Sequence, residues 1–570
     1  MLQLLQMDNQ KLINEHIAEK LESYDFKKRK FPHWNENYAL YRDKVTTNRL
    51  TQRQAINLPI MRETIQTWIS KIDEAPELKF KSRGTTNKHK NGEIIMDELW
   101  KYYFDLLKLD IVDNVDKKIV GLQGRSFKVI GMNKGKIFID LIDPYDIEIS
   151  PRANPFDLNS AQYVIRTHMF KPLREILANK KYNETAKETL KTYLNTKDGL
   201  IKAAQARETY DEKQERLKNL GAENYDDYNA SEVLVEINES YKFIWNVKEN
   251  RFVRHLIIFG ADMCVLYNEP ITKALGIRKI PILTWADDPD LNDIWCDGKG
   301  DSVRTINKLV NIYMSQDVEN RTYRTFGMHF FDTKNGTFQP RAMDPKPFGF
   351  YGVPGNPNDI VKQVEIPVLN DTTAQISFLK DMIQSSVAQT PAERGEQSKS
   401  RTTLGEVELN LEQSGQRNTV SSKHYRRCWE EIGEIFYDLI TNNNMGSITI
   451  YKEAPNGEIQ SKDIYPSDFV FPEGYRVDVV MKSDSDARDQ FMLQKAQYVL
   501  ATFQDNPVAK KIAKRKQLEL VGWTTDEIEQ AMAVEDQIAA PQPTGEIAPP
   551  EGQASGKPFN NQQTLQQITA

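Results

Sequence analysis

The densest run of chemistry-bearing side chains is Asp287, Asp288, Asp290, Asp293, Asp297 and Asp301, with Lys299 among them. Paired carboxylates can hold magnesium for phosphoryl transfer. Pro289-Asp290 followed by Asp297-Gly298-Lys299 imitates the two carboxylates and the lysine of a metal-dependent nuclease. Yet the stretch WADDPDLNDIWCDGKGD (285–301) is irregular, and no pair of strands is evident to hold those groups in register. The aspartates read better as turn formers and helix caps of a solvated loop. Asp484, Asp486 and Asp489 lack the glycine and terminal glutamate of a calcium loop and also read as caps. Gly131 to Gly135-Lys136 has three residues between the glycines where a phosphate loop has four, and Ile137 where magnesium needs a hydroxyl. It reads as a hairpin turn. His16, His33, His89, His168, His255, His329 and His424 are scattered, with no HExxH and no close pair. No GxSxG elbow and no strand-then-helix GxGxxG is present. Cys264, Cys296 and Cys428 are too far apart in sequence for a disulfide framework or a zinc knuckle. No catalytic residue, metal site or cofactor site is assigned, and the chain reads as a non-enzyme.

The elements that would carry any other function come next. The chain has 570 residues, enough for several domains or one elaborate one. Lys and Arg number 75 against 81 Asp and Glu, a net charge of -6, which excludes a simple nucleic-acid binder with a broad basic face. No apolar run of 18 residues exists, so no membrane-spanning helix is expected. The N-terminus has no basic start, apolar run and cleavage site, so secretion is not expected.

Residues 1–33 read as a helical arm with apolar positions Leu5, Leu12, Ile13, Ile17 and Leu21, ended by Pro32. Helical spacing continues from Trp34 to Ile72, with a break near Asn57–Pro59, and again from Met96 to Val112. Ser126–Ile130 and Lys136–Ile142 read as a β-hairpin. A charged helical region is expected from Pro172 to about Ala222, then antiparallel strands at Glu232–Trp245, Arg251–Phe259 and Met263–Tyr267. A helix from about Ser302 to Tyr323 and another at Thr373–Val387 flank a Gly-, Pro- and aromatic-rich stretch, 327–371, expected to be short strands and turns. After the polar loop 389–401, a capping box at Thr403 and Glu406 opens a helix expected to reach Asn442. Its small, polar middle (QSGQRNTVSSKH) is a poor fit to an apolar core and reads as a surface that meets something else. Strands at Ser447–Lys452 and Tyr475–Lys482, and a helix at Ala487–Gln504, complete an α+β chain. The Pro- and Gln-rich tail is expected to be disordered.

The order of these pieces resembles the portal proteins of tailed double-stranded DNA bacteriophages. Trp34, Tyr38, Tyr41-Arg42 and Asn57-Leu58-Pro59 look like that family's start. FKVI (127–130), DLIDPYDIEISPRA (140–153) and AQYVI (161–165) are similar to its wing. The stretch 285–316 resembles the approach to its stem helix, QTPAERGEQSKSRTTLGEVEL (389–409) its tunnel loop, and KSDSDARDQF (482–491) the lead-in to its crown.

The resemblance implies an N-terminal arm (1–33), an α/β wing (34–295, with 172–230 a charged insertion), stem helices (296–326 and 372–388) and a clip (327–371). It further implies a tunnel loop (389–401), a long wing helix with strands (402–482), a helical crown (483–535) and a tail (536–570). The assembly implied is a ring of twelve copies at one capsid vertex, in the virion and, during assembly, the host cytoplasm. Double-stranded DNA would pass through it during packaging and ejection without sequence-specific contacts. Arg394, Lys399 and Arg401 would face the DNA channel, and Lys334, Arg341 and Lys346 would face the terminase large subunit and then a head–tail adaptor. The major capsid protein and a scaffold are further partners implied. Two other readings are kept: another virion ring component, of tail or adaptor, and a metal-dependent nuclease built on the 287–301 aspartates.

Overall fold

The computed structural model describes residues 2–44, 56–194 (apart from 73–75, 85 and 134), 234–331 (apart from 247, 248 and 327), 361–387 (apart from 365 and 370), 419–480 (apart from 444–447, 454–458, 472 and 473), 513–515 and 517. The chain forms two units, Met1–Lys482 and Ser483–Ala570. In the second, the described residues are helical and Ala513 is buried. The expected capping box at Thr403, the first half of the long helix, the helix at 487–504, most of the charged insertion and the tail lie outside the described residues.

The first unit opens with α1 (Leu2–Lys28), α2 (Phe31–Tyr41) and α3 (Ile60–Lys71). Pro32 falls in the first turn of α2, where its missing N–H has no helical partner to lose. It therefore starts a helix two residues after another has ended. Strand β1 (Glu77–Ser82) leads to α4 (Asn87–Leu106) and α5 (Leu109–Gln123). The single helix expected over 96–112 is instead two, because Lys108 takes a left-handed φ of 51° between them.

Gly124 turns α5 into β2 (Arg125–Asn133) at φ +84°, and a Cβ there would lie 2.1 Å from the Cys296 carbonyl oxygen. Only glycine fits this approach. β2 forms the expected hairpin with β3 (Lys136–Ile142), their register running from Asn133 opposite Lys136 to Phe127 opposite Ile142. Then come β4 (Ile147–Ile149), β5 (Tyr163–Pro172), α6 (Leu173–Ala178), α7 (Glu184–Leu194), β6 (Leu234–Asn246), β7 (Arg251–Gly260), β8 (Cys264–Pro270), α8 (Ile271–Ala274) and β9 (Ile282–Ala286). β4 to β8 make a five-stranded antiparallel sheet in chain order, while β9 joins the hairpin in a sheet ordered β3-β2-β9. The strand at 282–286 includes Trp285 and Ala286, which the sequence reading left in an irregular segment.

α9 (Lys299–Phe326) is followed by β10 (Met328–Phe331), which pairs antiparallel with β11 (Val361–Val364); α10 (Thr372–Ser386) comes next. Last in this unit are α11 (Thr419–Asn442), the hairpin β12 (Ile448–Glu453) and β13 (Ile459–Ile464), and β14 (Tyr475–Val480), which pairs with β1 almost 400 residues back in the chain. The architecture is thus mixed helix and antiparallel sheet, an α+β chain.

Most of the core is one cluster in which α11 packs on the β9 and β2 side of one sheet and on the β1–β14 pair. Trp100 of α4 meets Trp429 and Phe436 of α11 edge-on, at 6.1 and 5.1 Å between ring centres. A smaller second cluster lies at the base of α9 and α10, where Val303, Val310, Leu379, Ile383 and Val387 pack with residues of α2, α3 and α5.

Candidate functional site

Four of the six aspartates of the 287–301 run form ion pairs, Asp293 with both Arg29 and Lys30. Asp287 is buried, 3.0 Å from Lys299 Nζ, and accepts the Ser421 hydroxyl at 2.7 Å. Burial raises its pKa against the opposing pull of Lys299. Asp293 meets Arg29 at 2.6 Å, and Asp297 meets Lys30 at 2.5 Å. Asp301 meets Arg304 at 2.6 Å and accepts the Asn37 amide at 3.1 Å. Asp290 accepts the backbone N–H of Asn292, the local turn bond that a short carboxylate makes readily. Lys299 is engaged by Asp287 and Lys30 by Asp297, so the pair Asp290 and Asp297 is not gathered around Lys299. Among the described residues no group of three His, Cys, Asp or Glu is placed to hold a metal. The segment acts as a seam that ties α1 and α9 to the sheets.

Two polar features escaped the sequence. The first is the seat of α1, which lies across the five-stranded sheet and touches both its edge strands, β4 and β8. Its apolar positions predict a buried Ile17 and Leu21, but Ile17 is 37% and Leu21 58% exposed. The buried stripe is Ile13, His16, Ser23 and Lys27. The His16 ring stacks on Phe259 at 3.8 Å and its Nε2 lies 3.0 Å from Asp262. Lys20 reaches Asp262 at 2.8 Å and Glu236 at 3.3 Å. Ser23 donates to the Ile149 carbonyl, and Lys27 donates to the carbonyls of Tyr145 and Ile147 and meets Glu148 at 2.6 Å. A helix wheel weighted by hydropathy cannot find this face, because the sheet beneath it supplies acids and carbonyls.

The second is a buried ionic cluster between α5, β2 and α11. Lys117 meets Asp113 and Lys128 meets Asp116, each at 2.6 Å and all with side chains no more than 3% exposed. Tyr425 donates to Asp113 at 2.7 Å, and Trp285 Nε1 donates to Asp116 at 2.6 Å. Burial alone would lower the Lys128 pKa, but the Asp116 and Asp113 charges outweigh it and hold it above the ordinary lysine value. The signal was present as Asp113, Asp116 and Lys117 at helical spacing, a pattern that on most helices marks a solvated face.

Helices α9 and α10 pack against each other, and β10, which follows α9, pairs with β11, which precedes α10. The base of the pair is anchored: Arg304 and Lys308 both meet Glu36 of α2, Asn311 Oδ1 accepts the Leu58 N–H, and Ser315 Oγ accepts the Ile56 N–H. Further out, Asn320 donates to the Pro367 carbonyl across the pair. Several large apolar side chains on it face solvent, among them Ile312 (39%), Phe378 (64%) and Met382 (44%). In a single chain such side chains are uncovered.

Arg394, Lys399 and Arg401, and likewise Lys334, Arg341 and Lys346, lie outside the described residues. The three cysteines are free and buried. Cys428 is enclosed beside Lys128, and burial pushes its thiol up to about 12. No helix among the described residues is long and apolar enough to cross a membrane. No model of a known protein family and no curated protein matches the chain.

Proposed function

We propose that the chain is a portal protein, a subunit of the ring at one vertex of a tailed-phage capsid through which double-stranded DNA enters and leaves. One observation carries the reading: the succession of helix, strand, antiparallel strand and helix over α9, β10, β11 and α10, mounted on an α+β body and bearing uncovered apolar side chains. Such a pair suits the stem and clip of a ring subunit, because side chains like Phe378 and Met382 gain burial only when a second copy lies alongside. Arg394, Lys399 and Arg401 as the channel loop, and Lys334, Arg341 and Lys346 as the surface for the terminase large subunit and the adaptor, rest on the sequence resemblance.

The acidic balance of the chain agrees with this role. A conduit has to let DNA slide, and many strong phosphate contacts would hold it in place. ATP hydrolysis would belong to the terminase partner. Native mass spectrometry with negative-stain imaging of purified protein tests the proposal. Rings of about twelve subunits with a central hole are expected, and a small closed dimer would overturn it.

A further inference from the structure

A cationic cleft lies between the N-terminal half of α11, the start of β2 and the turn at 155–158, and no part of the preceding assignment uses it. Its walls include Arg125, Phe156, Thr284, His424, Arg427 and Glu431. The deepest member is Arg125, with 2% of its surface exposed. Its guanidinium donates to the Pro155 carbonyl at 3.1 Å and to the Thr284 hydroxyl at 3.3 Å, while its Nε has no partner. No carboxylate among the described residues forms an ion pair with it. Its other neighbour is the Cys296 thiol, and a buried cation met only by neutral groups is costly unless an anion joins it.

Other groups converge on the same space from α11. His424 and Arg427 sit three residues apart on one helical face, with Glu431 one turn beyond Arg427. His424 lies against the Phe156 ring, 5.8 Å between centres. Burial, then the positive charges of Arg125 and Arg427, lower its pKa below 6.5. The one acid lining the cleft, Glu431, is 3.8 Å from Arg427 along the helix and has a pKa raised by burial. The cleft therefore holds two arginines and a histidine against a single partly engaged carboxylate. The cleft offers a water-sized body about 20 Å³, room for one or two waters.

We infer that Arg125, His424 and Arg427 form a binding site for one oxyanion of the phosphate or carboxylate type. One oxygen would lie against Arg125, with the remaining oxygens toward Arg427 and His424, which line the same cleft. Charge-assisted bonds from guanidinium to an oxyanion are the strong ones, and the planar fork of arginine suits them. Protonated His424 adds a donor, so binding strengthens as pH falls through the titration of this histidine, while Glu431 opposes it when ionised.

Calorimetric titration of the full chain with inorganic phosphate, at fixed ionic strength and at pH 6 and pH 8, tests this. Acetate and chloride titrations tell a phosphate preference from a carboxylate preference and from a general salt effect. Wild type is expected to bind one phosphate or acetate per chain, and to bind acetate, whose charge is the same at both pH values, more tightly at pH 6. Arg427→Ala is expected to weaken binding about tenfold, the worth of one charge-assisted contact, and His424→Gln to erase most of the pH dependence of acetate binding. Arg427 is exposed and His424 half-buried, so these variants keep the fold. No saturable heat from either oxyanion, a response matched by chloride, or equal binding by all variants would overturn the inference.

Discussion

His16 and Asp262 stand 246 residues apart in the chain and 3.0 Å apart in the structure. Asp262 occupies a left-handed turn (φ 53°) between β7 and β8, beside Ala261 in the same conformation (φ 49°). That turn carries strain for side-chain-bearing residues. The contact with α1 helps hold it, since the same carboxylate also receives Lys20 and the Asn238 amide.

Asp262 gives this docking a pH signature. Burial alone would raise its pKa, but the His16 hydrogen bond and the Lys20 charge outweigh burial and hold it below the ordinary 3.8. A carboxylate with a lowered folded pKa contributes stability that is complete above its unfolded value and disappears as the pH falls below it. Urea unfolding of wild type and Asp262→Asn should show a gap that is constant from about pH 7 to 5 and narrows below about pH 4. A gap unchanged down to pH 3 would contradict the assignment.

The ionic cluster predicts a non-additive pair. Lys128→Met leaves Asp116 buried without its cation and should cost about 3–5 kcal/mol. Asp116→Asn keeps an acceptor for Trp285 Nε1, so the double variant should be less destabilised than the two single costs together, by at least about 1 kcal/mol. Denaturant midpoints of the four proteins measure this, and simple additivity would show that the two side chains are not coupled.

Asn307 of α9 is fully buried, and neither atom of its amide has a hydrogen-bond partner. An unmet buried polar group costs about 1–3 kcal/mol. Asn307→Leu, close in volume, should raise the thermal midpoint. A fall in the midpoint would mean that the amide is satisfied in solution by a water or by another part of the chain.

The ring proposal predicts a separation of assembly from folding. Phe378→Ser and Met382→Ser alter exposed side chains of α10 and should leave circular dichroism and unfolding midpoints within about 0.5 kcal/mol of wild type. The fraction of rings in native mass spectra should fall. Rings persisting at the wild-type fraction would remove these side chains from the contact between copies.

Much of the local structure was legible. The β2–β3 hairpin follows from alternating residues around Gly135, and the strands near 234–270 from β-branched and aromatic runs. α9 and α10 came within three residues of their expected ends. What failed was long-range or polar. β1 pairs with β14 across most of the chain, and nothing near Glu77 announces it. α1 was assigned the wrong face because its seat is charged, and no local pattern marks Gly433 of α11 as a packing position. In the fold a Cβ there would come within 2.7 Å of Val477, so the glycine lets α11 lie close to β14. In the acidic run, Asp290, Asp293 and Asp301 do accept local backbone N–H groups as turn formers and caps, while the pairing of Asp293 and Asp297 with Arg29 and Lys30 was not legible locally.

The separate cluster at the base of α9 and α10 has a mechanical consequence. The buried members of that cluster are separate from those of the main core, so the pair is joined to the body by its own apolar seat and by polar bonds. The polar bonds at the foot of α9 are Glu36 with Arg304 and Lys308, Asn37 with Asp301, and Asp287 with Lys299. Polar anchors of this kind can shift by a fraction of an ångström and re-form, while the packed tryptophans behind them resist compression. If the pair is the stem proposed above, this root is where it would give under thrust before the tryptophan-packed body does.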